Sequence, residues 1–360
     1  MKLEHLGCFR LPAGQQAHDP DLAEPLKQYA KFGYGGRAMG MMYQGNKALL
    51  VSGHNIGDLI AAVRIPKLGE TAEVRIGFRE LVPAAELFVN RLDELVGVAE
   101  HQGKVVGLYQ RYYQVDGKDG GIPSFWDGEQ LIALGTGELK KSSGYLTSHD
   151  SKLYVGRSSG AGNADINQGP CLYEVLPDYG LIERFRHDRP DWSPADDYRA
   201  LAFLPGCVVW LVRKAVGAPA WYGGPVGPNG EVDPFDASKG YHSDSYEARL
   251  LAYKWPIVPG DEGEILKLDG FHESSDAGGM AFDGGTSRLY VFEAYPPDET
   301  TESGAYRKER PHIHVYSLEA GGASEPEPEP EPPTKKDVLH IKAWNEDGQV
   351  FEGDIIEVED

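Results

Sequence analysis

"VGVAEHQGKVVGLYQ", residues 96–110, is two apolar, β-prone runs joined by a Gln-Gly reversal. That arrangement of a turn dipeptide between strand-forming runs is the signature of a β-hairpin. Four other stretches share the layout: "AMGMMYQGNKALLVSGH" (38–54), "GYLTSHDSKLYVGRS" (144–158), "ALAFLPGCVVWLVRK" (200–214) and "GGMAFDGGTSRLYVFEA" (278–294). Their turns are QGN, HDS, PG and DGG. Across the five copies the turns recur at roughly 50 to 80 residues, a spacing that belongs to repeat architectures.

Most of the hairpins are followed by one more strand-like run with a proline or charged stop. These are "LIAAVRIP" (59–66), "PCLYEVLP" (170–177), "EARLLAYKWP" (247–256) and "PHIHVYSLE" (311–319), and further strands are expected in "AEVRIGFREL" (72–81) and "GEQLIALGTGEL" (128–139). Three or four antiparallel strands repeated at this period describe the blade of a β-propeller. The expected fold is therefore all-β: a propeller of five blades over residues 1–320, a sixth being open only if residues 111–143 supply it. The strand "HLGCFRLP" (5–12) has no neighbour in sequence to pair with. It is expected to complete the blade holding residues 278–319 and so close the ring. Helix is scarce, and "AAELFVNRLDELV" (84–96) is the best candidate for one. A pair of β-sandwiches would also show short strands and turns, but accounts less well for the recurring hairpin.

Composition agrees with this reading. The chain has 360 residues, 41% of them hydrophobic, enough for a sizeable core. Forty-five Gly, 25 Pro and 19 Tyr against five Met suit many short strands and turns. The 56 acidic residues outnumber 35 basic ones, for a formal charge of −21, which argues against tracking nucleic-acid phosphates or binding anionic membranes. No apolar run approaches the roughly 20 residues that cross a bilayer. The start, "MKLEHLGCFRLPAG", lacks the basic, apolar and cleavage regions of a signal peptide. The expected location is thus the cytoplasm, or the surface of a virus particle released by lysis. Cys8, Cys171 and Cys207 form no CxxC or HxxxH pattern, so buried free thiols are expected rather than disulfides or a zinc site.

The motifs "FGYGGRAMGMMYQGNKALLVSGHN" (32–55), "SKGYHSDSYEARLLAYK" (238–254), "AGGMAFDGGTSRLYVFE" (277–293) and "PHIHVYSLE" occur in that order after an opening "LGCFRLPAG" (6–14). In this the chain resembles a family of uncharacterised bacterial and phage β-propeller-like proteins. The resemblance covers most of residues 5–319 and implies the fold. It implies no reaction, because the family carries no established one. Members associated with secretion have signal peptides, from which this chain departs.

Candidate site residues follow from aligning the hairpins. Two places after each second-strand apolar triplet stand Gly53, Tyr109, Arg157, Arg213 and Glu293. If the hairpins are the innermost strands, these positions rim the central channel. There Arg157, Arg213 and Glu293 would either grip an anionic ligand or neutralise one another as a buried pair. The insertion 215–246 displays Trp221, Tyr222, Tyr241, His242 and Tyr246 among glycines and prolines. Exposed rings of that kind stack on sugar faces, or else pin a long loop to its scaffold. Asp233, Asp236 and Asp244 miss the spacing of a calcium loop. The glycine-rich "GYGGR" (33–37) and "GRSSGAGNADINQGP" (156–170) lack the lysine and helix of a phosphate loop. His54, His149, His242 and His272 belong to no hydrolase motif, so no catalytic residue is assigned. His312 and His314 share one strand face, which suits a metal, but no third ligand is evident in sequence. They are read as edge-strand residues, and no metal or cofactor is expected. Whether two carboxylates approach closely enough for glycoside cleavage is tertiary information.

Residues 321–336, "GGASEPEPEPEPPTKK", cannot form helix or sheet. "EPEPEPEPP" is expected as polyproline II, about 3.1 Å per residue or roughly 28 Å in all. Beyond it, "DVLHIKAWNEDGQVFEGDIIEVED" (337–360) reads as strand, Asp-Gly turn and strand. A lone hairpin is marginal in water, so this one is expected to dock onto another protein chain. Together these features point to a non-enzymatic adhesion protein, a propeller head carried on a phage or virus particle. A propeller glycosidase or lyase, and a cytoplasmic scaffold, are the alternatives.

Overall fold

The computed structural model describes residues 1–33, 36–43, 47–54, 58–110, 124–134, 143–157, 169–187, 189, 191, 196–217, 245–271, 277–294, 311–318, 338–344 and 350–356. The chain divides into two compact units, Met1–Glu319 and Ala320–Asp360. The first is a five-bladed β-propeller of five four-stranded antiparallel sheets. Strand β1 (Leu3–Arg10) opens the chain. Blade one holds β2 (Met39–Met42), β3 (Ala48–Ser52), β4 (Leu59–Val63) and β5 (Val74–Glu80). Blade two holds β6 (Glu94–His101), β7 (Lys104–Gln110), β8 (Ser124–Trp126) and β9 (Leu131–Ala133). Blade three holds β10 (Ser143–His149), β11 (Lys152–Arg157), β12 (Cys171–Val175) and β13 (Leu181–Arg186). Blade four holds β14 (Asp197–Leu204), β15 (Cys207–Val216), β16 (Ser245–Lys254) and β17 (Glu264–Lys267). Blade five holds β18 (Ala277–Asp283), β19 (Arg288–Glu293) and β20 (His312–Leu318), with β1 as its outer strand.

Local chemistry explains the hairpins. His101 pairs with Lys104 around Gln102 and Gly103, both at positive φ, and His149 pairs with Lys152 around Asp150 and Ser151, both likewise. Two left-handed central residues give the turn whose twist matches that of the flanking strands. The QGN turn at 44–46 lies outside the described residues. The first strands of the hairpins are the innermost: β2 packs on β6, β6 on β10, β10 on β14, β14 on β18, and β18 on β2. Glycines permit this approach. A Cβ on Gly97 would stand 2.5 Å from the backbone nitrogen of Leu146, and one on Gly40 would collide with the carbonyl of Val98.

Each blade buries both faces, which is why β3, β4 and β12 are buried throughout and mostly apolar rather than alternating. One hydrophobic cluster fills each junction. Phe9, Tyr290 and Phe292 meet Leu49, Val51 and Phe78 between blades five and one. Leu50 and Ile60 meet Val98 and Tyr109 at the next junction, and Val106 and Leu108 meet Leu146 and Val155 at the third. Tyr145 and Leu172 face Trp210 and Leu251, and finally Leu211 and Leu250 face Val291 and Tyr316.

β1 pairs with β20 from Leu3↔Leu318 to Arg10↔His312. The ring is thus closed by joining the two ends of the propeller segment. β20 consequently lies between β19 and β1, so His312 and His314 are interior, not edge-strand, residues. The helix expected over 84–96 stops early, as α2 (Ala84–Val89), after the short α1 (Glu24–Lys27). Arg91 turns left-handed at φ 57°, and "ELVGVAEH" enters the inner ring as β6, where burial of both faces outweighs helix propensity. Of the three free thiols only Cys171 is fully buried; Cys8 and Cys207 keep some exposure. Strands β8, β13 and β17, which the sequence reading did not single out, are short or carry mainly exposed residues.

The second unit contains β21 (Val338–Trp344) and β22 (Val350–Ile356), antiparallel from Val338↔Ile356 to Trp344↔Val350. The Glu-Pro segment and the Asp-Gly turn lie outside the described residues. Among the described residues, no helix is long and apolar enough to cross a membrane.

Candidate functional site

The inner strands are level with one another, so the starts of β2, β6, β10, β14 and β18 gather at one end of the ring. The second strands run back to that end. Four inner strands are irregular near it: the ladders slip at Leu95/Gly97, Ser143/Tyr145, Tyr198/Ala200 and Ala277/Met280. Bulges at one level of a ring re-aim backbone and side chains where pairing would otherwise continue.

Charged groups collect at this end and are held in place. Arg37, just before β2, reaches Glu94 at the start of β6, Nη1 to Oε1 2.9 Å. Gln110 Nε2 donates to the other oxygen of Glu94 at 2.8 Å. Glu94 is buried, and these partners compensate its lost hydration. In blade four Arg199, the extra residue of its bulge, holds Asp197 with Nε 2.6 Å from Oδ2. Asp58 accepts the backbone N–H of Leu95 at 2.8 Å. Burial pushes its carboxyl up to about 7, and the neighbouring Glu94 and Asp93 add to that. Asp58 therefore changes protonation near neutrality.

The rim positions picked out in sequence fall at this same end, on the second strands, one strand out from the innermost. Tyr109 is wholly buried between blades one and two. Arg157 closes β11, and its side chain lies outside the described residues. The Arg213 guanidinium lies 3.2 Å above the centre of the Tyr246 ring, a cation–π contact. Glu293 is fully buried in blade five beside two imidazoles, His314 Nε2 at 2.8 Å and His312 Nδ1 at 3.8 Å. His314 Nδ1 is in turn 3.1 Å from His5 Nε2. Burial, then the neighbouring His314, lowers the pKa of His5. Glu293, His312 and His314 are also the described residues placed to hold a metal ion. Arg213 and Glu293 thus belong to separate groupings, each with its own partners.

Trp221, Tyr222, Tyr241 and His242 lie outside the described residues, as do His272, Asp233, Asp236 and Asp244. His149 stacks on Phe203 with centroids 4.1 Å apart, and His54 packs on Tyr29; burial lowers both histidine pKa values. Sequence reasoning missed Arg37, Glu94, Asp197, Arg199 and His5. A usable signal was a charged residue at or just before an inner strand, as in "RAMG", "DELVG" and "DYRALA".

At the opposite end, by the hairpin turns, is a cavity of about 80 Å³ lined by Met39, Met41, Tyr43, Leu146, Phe203 and Phe282, among others. Tyr43 stands at it half exposed. Its N–H donates to Glu100 Oε2 at 2.7 Å and its hydroxyl to the carbonyl of Phe282 at 3.2 Å. Burial, with Asp283 and Glu100 nearby, pushes its phenol up to about 12.

No family model matches the chain, and no curated protein matches it. Among solved structures it is similar to phage phi92 endosialidase, at 9% identity and a TM-score of 0.40 over 100% of this chain. The chain spans 58% of that endosialidase. An exo-1,5-alpha-L-arabinanase from a bovine ruminal metagenomic library is similar at 8% identity and a TM-score of 0.43, covering 90% of this chain and 98% of the other. A glycosyl hydrolase from Bacteroides ovatus is similar at 11% identity and a TM-score of 0.39, covering 88% and 97%.

Proposed function

We propose that the propeller is a non-enzymatic binding head that offers one end of its ring to a cell-surface glycan or protein. The observation that carries this reading is topological. β7, β11, β15 and β19 all finish at the bulged end, and the connections 111–123, 158–168, 218–244 and 295–310 start there. Variable segments mounted on one end of a rigid sheet scaffold are the usual design of a recognition surface. The third of them brings Trp221, Tyr222, Tyr241 and His242, whose rings suit sugar faces. The C-terminal hairpin anchors the head on a larger assembly, a phage or virus particle, because two strands need a neighbour to be stable. Many copies on one particle then offset a weak single site.

The test is glycan-array binding by the full chain, followed by Trp221→Ala and Tyr222→Ala. Loss of about tenfold or more in affinity in both, with the melting midpoint unchanged, is the expected result. Unaltered binding by both variants overturns the location, and release of reducing sugar from a bound glycan overturns the non-enzymatic reading. Deleting 320–360 is expected to leave the head folded and to abolish its incorporation into particles; normal incorporation overturns the anchor.

A further inference from the structure

Blade five contains a cluster that the binding face does not use. β20 begins "HIH", and residues two apart on a strand share a face, so the rings of His312 and His314 stand side by side. β19 runs alongside with Glu293 opposite His312 and Val291 opposite His314. This register brings the Glu293 carboxylate level with both imidazoles. Donor atoms from the three residues all lie within 4.8 Å of one another, and all three residues are buried. β1, from the other end of the propeller segment, places Cys8 directly opposite His314. Its Sγ is 4.0 Å from His312 Nδ1.

We propose that Glu293, His312 and His314 bind one divalent transition-metal ion of the zinc type, and that the Cys8 side chain, which lies outside this close-set group with Sγ 4.0 Å from His312 Nδ1, turns in to complete a tetrahedron when the ion binds. Three features support this. With metal–nitrogen and metal–oxygen bonds near 2.0–2.1 Å, tetrahedral donor atoms stand roughly 3.3 Å apart. The distances here, 2.8 Å and 3.8 Å from Glu293 Oε2 to the two imidazoles, bracket that value. The donors are two imidazoles, one carboxylate and one thiolate, a set that prefers zinc-like ions over the oxygen-seeking calcium and magnesium. Outer partners are also in place. His314 Nδ1 stands 3.1 Å from His5 Nε2, so an Nδ1–H donated there would leave Nε2 to face the ion, and the Phe271 ring stacks on His314 at 4.4 Å.

The expected consequence is mechanical. Glu293, His312 and His314 come from β19 and β20, whereas Cys8 comes from β1. An ion held by all four fastens the N-terminal strand to the blade it completes. The Cys8 thiol gives up its proton to solvent when the ion binds, so binding releases acid.

The test uses the full chain, stripped with a chelator and then titrated with Zn²⁺ and, separately, Co²⁺. One equivalent of Zn²⁺ per chain, with a melting midpoint raised by several degrees, is the expected result. Co²⁺ is expected to give the strong visible bands of a tetrahedral site plus a sulfur charge-transfer band. Cys8→Ser, at a partly exposed position, should lose the sulfur band and keep the visible ones. Glu293→Gln and His312→Gln should lose the stoichiometric ion while retaining wild-type circular dichroism. Folded wild-type protein that takes up no equivalent of Zn²⁺ or Co²⁺ overturns the proposal. So does undiminished uptake by His312→Gln. A sulfur band that persists in Cys8→Ser removes Cys8 from the ligand set.

Discussion

Gly279 donates its backbone N–H to the carbonyl of Gly36 across 2.6 Å, joining the last blade to the first where the ring closes. A Cβ on Gly279 would stand 2.6 Å from the Cβ of Met39 and 2.7 Å from its backbone nitrogen. Neither atom can yield without moving β2. Gly279→Ala is therefore expected to cost about 1–3 kcal/mol by overpacking. Gly284→Ala, whose nearest neighbour is a Phe282 ring carbon at 3.8 Å, is expected to change stability by less than about 0.5 kcal/mol. Urea midpoints of the two variants decide it.

The fastening strand should matter as much as the ring contact. Phe9 of β1 is fully buried in the cluster between blades five and one, edge-on to Tyr290 with centroids 6.5 Å apart. Phe9→Ala is expected to cost about 3–5 kcal/mol through lost burial and the cavity left behind. Removing residues 1–10 would bare the edge of β20, and aggregation is the expected outcome, read by light scattering.

A single hydroxyl bridges blades three and four. Trp210 Nε1 donates to Tyr145 Oη at 2.9 Å, and that hydroxyl donates to the carbonyl of Cys171 at 2.5 Å. All three groups are buried. Tyr145→Phe keeps the ring but leaves the indole N–H and the carbonyl without this partner, at an expected cost of about 1–3 kcal/mol. Thermal unfolding gives the loss, and a change in tryptophan emission locates it at Trp210.

Stability should also depend on Asp58. Its carboxyl is enclosed although the residue keeps some exposed surface, and its pKa is raised from 3.8 to about 7. The folded state therefore binds the proton more tightly than the unfolded chain. This group's contribution to stability is full below about pH 4 and declines as pH rises towards 7. Asp58→Asn retains an acceptor for the Leu95 N–H and tolerates the left-handed φ of 47° at this position. The variant is expected to match wild type near pH 4 and exceed it by about 1–3 kcal/mol at pH 8. Equal stability at both pH values would show that the carboxylate carries no burial penalty.

Particular elements show how much was readable in advance. "VGVAEHQGKVVGLYQ" became β6 and β7 around a Gln-Gly turn, as its pattern requires, and "HLGCFRLP" closed blade five. Periodicity failed at 84–96, where the register of an inner strand overrode a helical pattern after only six residues. It also passed over β13 and β17, because outer strands facing solvent need few apolar residues. The positions aligned in sequence fall at one level of the ring, on the second strands rather than the innermost ones, and Tyr109 and Glu293 among them are buried. Their partners were not legible: Arg213 sits on Tyr246 and Glu293 beside histidines, contacts set across strands rather than along them.

The five hairpins, the all-β class and the strand that closes the ring were legible in the chain's local pattern alone. Those follow from turn chemistry and from burial on both faces, which are written locally in every copy. Which polar groups meet depends instead on long-range strand pairing. Glu293 and His312 are 19 positions apart, and Cys8 lies at the other end of the propeller segment, yet the β19–β20–β1 registers bring them together. One residue of slip would turn these side chains to opposite faces, and no local pattern encodes the register between distant strands.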